Sequence, residues 1–354
     1  MLAVRLDSDG DVLLTGPAIR ALAAGGDEVV AVVGPRGRQA AALLPDVVRV
    51  VVWHCGWVDG DAPPVTAQTV GEAVAELTAL DADEAVVFTS FHQSPLPTAL
   101  VLRLAGVPRI TGASVDFPGG LLDVRLRPGD PALDPTVDLP DDLPEPERAL
   151  AIAARAGHAP GPDDDGCLRV TPPADAGGRA RELLAARGLS AGEPYVVLHP
   201  GASVPARAWP PGRCAEGVAA LRAAGRRVVV TGAPGEAPLT AAVAGEHGID
   251  LGGATSFAVL AEVLRGADAV VVGNTGPAHL AAAVGTPVVS LFAPVVPAVR
   301  WAPYGVPHVL LGDQTAPCRG TRARDCPVLG HPCLAGVGPE AVVAAVAGLT
   351  SHAE

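Results

Sequence analysis

The chain has 354 residues, with 38 Asp+Glu against 25 Lys+Arg and a formal net charge of -13, so it offers no basic footprint for nucleic acid. It is 49% hydrophobic but only 3% aromatic, enough small aliphatic material for more than one core. No apolar run reaches the ~20 residues that a membrane span needs, and the charge at Arg5 comes too early for a secretory signal; the expectation is a cytoplasmic protein with reduced cysteines and at most peripheral membrane contact.

In chain order, Leu2–Leu6 reads as a strand, and the polar turn Asp7-Ser-Asp-Gly-Asp11 leads into a helix to about Ala24. Leu14, Ala18 and Leu22 recur on one face of that helix. Strands follow at Glu28–Val33, Val47–Trp53 and Ala85–Thr89, with helices at Thr69–Leu80 and Leu96–Ala105 between and after them. From Arg127 to about Pro173 the composition turns to Pro, Asp and Glu, broken by a short helix at Arg148–Ala156, which reads as a linker. The second half restarts the pattern. Strands at Tyr195–His199, Arg227–Thr231, Ala269–Gly273 and Pro287–Phe292 alternate with helices at Pro211–Ala224, Ala237–Glu246, Phe257–Leu264 and Gly276–Val284, and a last helix spans Pro339–Leu349. Alternating strands and helices imply parallel sheets with ligands outside the carboxyl ends of the strands. The expected domains are 1–175, including the linker, and 176–338, with a C-terminal segment 339–354 that could pack back on the first domain.

Three turns could carry chemistry. In Val270-Val-Val-Gly-Asn-Thr-Gly-Pro-Ala-His-Leu280 a buried strand runs into a helix start, with Asn274 or Thr275 as N-cap. Free N–H groups and the positive end of the helix dipole suit a diphosphate there; an ordinary capped turn reads equally well. In His199-Pro-Gly-Ala-Ser-Val-Pro-Ala-Arg-Ala-Trp-Pro210 small residues, including Gly201 and Ser203, precede Arg207, which could bind phosphate bidentately or simply be solvated. The turn Asp7–Asp11 places Asp11 at a helix start, where it could take a proton from a hydroxyl or merely cap the helix. Gly10 stands alone, so no dinucleotide fingerprint is present. Asp9, His54 and His92 are candidates for touching an acceptor. Cys318, Cys326, His331 and Cys333 share a polar loop whose spacing permits a zinc site but favours free or structural thiols.

These segments together resemble glycosyltransferase family 9, the ADP-heptose:lipopolysaccharide heptosyltransferase family. The likeness rests on Leu2–Leu22, on His199-Pro-Gly through Trp209-Pro210, and on Gly273-Asn-Thr-Gly-Pro-Ala-His-Leu280 followed by Gly285-Thr-Pro-Val. It implies an α/β protein of the GT-B fold, two Rossmann-like domains facing each other across a cleft. The activity implied is inverting transfer with no required cofactor or metal, from a nucleotide sugar, ADP-sugar favoured, to a glycan, lipid-linked or small-molecule acceptor. Asp11 would be the general base, and Arg207 would meet the leaving diphosphate. Thr275, Gly276 and His279 match the turn that holds it, Glu236 matches an acid at the ribose, and Ala254 and Thr255 lie where the backbone passes the base. Asn274 stands where the family often has Asp, and Ala208 where it often has Arg, which bears on the donor. Two other readings of the same scaffold are a nucleotide-sugar epimerase and a binding protein without turnover.

Overall fold

A computed structural model describes residues 1–90 and 92–351; residues 352–354 of the expected terminal segment lie outside it. The chain divides into two compact units, Met1–Arg169 and Val170–Glu354.

In the first unit, β1 (Leu2–Arg5) leads to α1 (Asp9–Ala23), β2 (Val29–Val33), the short α2 (Arg38–Ala41), β3 (Val47–Val52), α3 (Ala67–Thr78), β4 (Glu84–Val87), α4 (Leu96–Leu104), β5 (Arg109–Ala113) and β6 (Val124–Leu126). All six strands are parallel in the order β3-β2-β1-β4-β5-β6. A two-residue ladder, β7 (Pro128–Gly129) with β8 (Leu139–Pro140), precedes α5 (Glu145–Ala156). Leu2, Val4, Val32, Val87, Leu102 and Ile110 build the core. Helix α1 is covered almost along its length, from Val12 to Leu22, because α5 packs on its outer side.

That packing bears on the segment 127–173, read above as a linker within the first domain. Through Arg169 the segment is part of the first unit. Its acidic residues are in part partners: Asp164 takes two bonds of 2.7 Å from the buried Arg20 guanidinium, which also donates to the Cys167 carbonyl. That pairing holds the Asp164 carboxyl down at about 2.

The second unit opens with α6 (Ala176–Ala186). It continues through β9 (Tyr195–His199), α7 (Pro211–Ala223), β10 (Arg227–Val230), α8 (Ala237–Ala244), β11 (Ile249–Asp250), α9 (Phe257–Arg265), β12 (Ala269–Gly273), α10 (Gly276–Ala283), β13 (Val288–Leu291), α11 (Ala298–Trp301), β14 (His308–Leu311), α12 (Pro332–Ala335) and α13 (Pro339–Thr350). The parallel order is β11-β10-β9-β12-β13-β14, the same winding as in the first unit. Strands β9, β12 and β13 are buried at every residue and are dominated by Val and Leu, as parallel strands covered on both faces are. The terminal helix α13 packs on α7 and on β12, β13 and β14 of its own unit. Among the described residues no helix is long and apolar enough to cross a membrane.

Candidate functional site

In each sheet the winding reverses beside the first strand, between β1 and β4 and again between β9 and β12. Loops leaving neighbouring strands diverge there, and a crevice opens at the carboxyl ends.

In the first unit this point is occupied by charge. Arg5 closes β1 and is only 4% exposed. Its Nε lies 3.0 Å from Asp7 Oδ2, and its Nη2 donates to Asp11 Oδ1 and to Ser90 Oγ, both at 3.1 Å. Ser8 is the N-cap of α1, and its hydroxyl donates to Asp11 Oδ2 at 2.8 Å. Asp11 is thus held in the first turn, with the positive end of the helix behind it. Gln93, from the loop after β4, donates to Asp7 Oδ1 at 2.6 Å. Burial pushes the Asp7 carboxyl up and Asp11 adds to the rise, while Arg5 opposes both. Beside Arg5 a cavity of about 180 Å³ is lined by Ser90, His92, Gln93, Ser114, Glu145 and Arg148, among others.

The other candidates of this unit divide. His92 lines that cavity. His54 lies elsewhere: it faces a separate cavity with Trp53 and Trp57, and its Nε2 is 3.2 Å from Asp59. The two histidines do not form one acceptor contact, because β3 stands three strands away from β4, about 14 Å at ordinary strand spacing. Asp9 accepts the Ala40 N–H at 2.8 Å and so ties α2 to α1; burial raises its carboxyl to about 6. Arg5, Glu145 and Arg148 escaped sequence reasoning, whereas Asp7 belongs to the turn singled out there. The signal was a lone Arg inside the apolar strand Leu2-Ala-Val-Arg-Leu6, since a charge in a buried strand has to meet partners.

In the second unit the two expected phosphate elements meet. A Cβ on Gly273, at the end of β12, would fall 2.7 Å from the Arg207 carbonyl oxygen. Glycine there lets the loop after β9 lie directly on the turn after β12. Arg207 closes a short 3-10 turn, Pro205–Arg207, whose middle residue is held on both sides: Ala206 N–H donates to the Arg324 carbonyl at 2.8 Å, and the His331 ring lies 3.1 Å from the Ala206 carbonyl. Trp209, 2% exposed, anchors the far end of the loop against Gly217.

Thr275 is the N-cap of α10 in extended conformation, and its side chain makes no capping bond. Its hydroxyl and the Gly276 N–H at the first turn face the start of the helix, while the Ala278 N–H donates to the Thr275 carbonyl at 3.0 Å. Asn274 is 3% exposed, and its Nδ2 has no hydrogen-bond partner among the described residues. His279 is buried one turn into the helix.

Gly201 is buried against the Glu236 carboxylate, which fills the space a Cβ would take, and Glu236 in turn accepts the Ala233 N–H at 2.8 Å. Gly253 donates to the Gly232 carbonyl at 2.9 Å, bringing Ala254 and Thr255 to the Glu236 loop. Ser203 is exposed. His199 is buried with its Nδ1 3.0 Å from Thr231 Oγ1; burial lowers its ring to about 4, against a smaller upward pull from Glu236.

Among the described residues no group of three or more His, Cys, Asp or Glu could hold an ion. Cys318 and Cys333 are buried in the core of the unit, with Cys326 packed against it, and the His331 ring is turned to Ala206. Burial, with the neighbouring Cys318 and Cys326, pushes the Cys333 thiol up to about 12. All six cysteines are free.

The profile of glycosyltransferase family 9 (heptosyltransferase) matches residues 138–330, more than half of the chain. The chain belongs to glycosyltransferase family 9. Solved structures extend the likeness to its full length. A family 9 glycosyltransferase of Veillonella parvula superposes with a TM-score of 0.80 at 18% identity, covering 99% of this chain and 97% of the other. E. coli ADP-heptose LPS heptosyltransferase II gives 0.72 at 20% identity, covering 99% and 98%. E. coli heptosyltransferase WaaC with ADP gives 0.69 at 20% identity, covering 98% and 99%. No curated protein matches. This family 9 chain is therefore a glycosyltransferase of the GT-B fold, and its two Rossmann-like units are the two identically wound sheets.

Proposed function

We propose that this family 9 enzyme transfers a heptose from ADP-heptose, or a related ADP-sugar, to a hydroxyl of a glycan, lipid-linked or small-molecule acceptor. The transfer inverts the anomeric carbon and calls on no cofactor. The observation that carries this reading is the closure of the Arg207 loop on the Asn274–Gly276 turn at the crevice of the second sheet. That arrangement brings the backbone of Arg207, a helix start and an unpartnered buried amide donor to one place, and with the guanidinium turned to the ligand this is chemistry for a diphosphate. The WaaC structure carrying ADP supports the same ligand class. Asn274, unlike an aspartate, can donate to a phosphate or sugar oxygen. Glu236, backed by Gly201, and the backbone at Ala254 and Thr255 are assigned to the ribose and base.

In the reaction Asp11 accepts the proton of the acceptor hydroxyl. The oxygen attacks the anomeric carbon from the side opposite the nucleotide, the carbon–phosphate oxygen bond breaks, and ADP leaves with the bonding pair. Arg207, Thr275 and the Gly276 N–H at the start of α10 meet the charge that grows on the leaving oxygens.

Asp11→Asn tests the base. It should keep ADP affinity and lose transfer by about 10²- to 10⁴-fold, the usual worth of a general base. Parent-like transfer in that variant removes Asp11 from the role. ADP should raise the melting temperature where UDP and GDP do not, and the product's anomeric configuration, read by NMR, should be opposite to the donor's.

A further inference from the structure

We infer that Arg5 and Asp7 form an electrostatic setting for Asp11, a buried guanidinium shared between two carboxylates that fixes both the place and the proton affinity of the base. The inference rests on the assignment of Asp11 above. The geometry is specific. Arg5 reaches Asp7 through Nε at 3.0 Å and Asp11 through Nη2 at 3.1 Å, with side-chain exposures of 5%, 11% and 20% for Arg5, Asp7 and Asp11. A single cation therefore serves two anions where water screens them little. Ser90 accepts from the same Nη2 and Gln93 donates to the far oxygen of Asp7, so the loop after β4 holds the cluster from the other side.

Arg5 and Asp7 act on Asp11 in opposite senses. Arg5 favours its charged form directly. Asp7 raises its proton affinity, both by like charge and by drawing on the same guanidinium. A base needs to be ionised at working pH yet still want a proton, and the Asp7–Arg5 pair sets that balance. Other charged or titratable groups near the cluster are Glu145 and Arg148 on α5, which line the same cavity as Arg5 with His92, and Cys55, which feels Asp7. Glu145 acts on Arg5 and on Asp7. Arg5 and Asp7 are positioning residues, since the proton goes to Asp11.

The test is the acid limb of kcat/KM against pH, which reports the free enzyme's base, in Arg5→Gln, Asp7→Asn and the double variant. Arg5→Gln removes the cation from two carboxylates, and its limb should move to higher pH by about one to three units, the usual effect of a close opposite charge. Asp7→Asn leaves Arg5 to Asp11 alone, and its limb should move to lower pH. The double variant restores the parent's charge count, and its limb should return toward the parent's. A purely structural role predicts instead a double variant worse than either single, with limbs that do not move in opposite directions, and that result overturns the inference. Should Arg5→Gln fail to fold, Asp7→Asn decides alone: a limb that stays put refutes. Asp11→Asn separates the two layers. If it transfers normally, the base assignment fails; if it is inactive while the limbs stay fixed, only the role of Arg5 and Asp7 fails.

Discussion

Gly273→Ala should uncouple the two phosphate elements of the second unit. The added Cβ would lie 2.7 Å from the Arg207 carbonyl oxygen, whereas a carbon–oxygen contact of this kind rests near 3.3 Å. One side must therefore yield by about 0.6 Å. The rigid side is β12, buried at all five residues and paired with β9 and β13, so the Arg207 loop is the element that moves. Overpacking at this scale costs about 1–3 kcal/mol. A 1 Å misplacement can cost about 10²-fold in rate, so a shift of half that should lower ADP affinity and kcat/KM by about tenfold. Urea unfolding, ADP titration calorimetry and initial rates measure the three quantities. Gly212→Ala is the control: its Cβ would meet nothing within 4 Å, and it sits in α7, where alanine is the better helix former by up to about 1 kcal/mol. Parent-like ADP affinity and transfer in Gly273→Ala would refute the argument that Arg207 is positioned by its contact with this turn.

Two further outcomes concern pH. His199, with its ring lowered from 6.5 to about 4, stays neutral in the fold while the unfolded chain takes a proton; stability is therefore complete above 6.5 and falls as pH drops toward 4, by about 2 kcal/mol between pH 7 and pH 5. His199→Asn should flatten that part of the urea-stability curve, and an unchanged curve would show that the ring is not shielded. Asp9 has the opposite sign: its carboxyl is raised from 3.8 to about 6, so its contribution is complete below 3.8 and lost as pH rises through 6. Asp9→Asn, which keeps an acceptor for the Ala40 N–H, should then be more stable than the parent at pH 8 by about 1–2 kcal/mol after allowance for partial exposure. Parent and Asp9→Asn should match near pH 4, and a deficit of the variant at pH 8 counts against the assignment.

The parts of the fold that the sequence announces are those that bury both faces. Strands β9, β12 and β13 and helix α1 stand out as apolar runs or stripes. Strands β5, β6 and β14 do not: Arg109-Ile-Thr-Gly-Ala113 mixes a charge and a glycine, Val124-Arg-Leu126 is three residues long, and His308–Leu311 is only partly covered. Helix α6 hides behind Gly177 and Gly178. The acidic, proline-rich stretch before it reads as linker because composition registers solvated residues and not the Arg20–Asp164 pair. The three loops singled out in the sequence each stand, within their own unit, where a strand end meets a helix start, which is the feature that sequence marks. Which loops are neighbours was not legible, since only sheet order sets it; hence His54 and His92 seemed a pair, while Arg5, Ser90 and Gln93, brought together by β1 lying beside β4, went unnoticed.

The shared winding of the two sheets has a practical side. Each half builds its own crevice from its own strands, so on the function proposed above recognition of the nucleotide and choice of the receiving molecule fall to separate modules. Replacing residues 1–169 with the matching half of another family member should redirect where the sugar is delivered while leaving the taste for nucleotide untouched. A library of such hybrids would turn one architecture into many linkages.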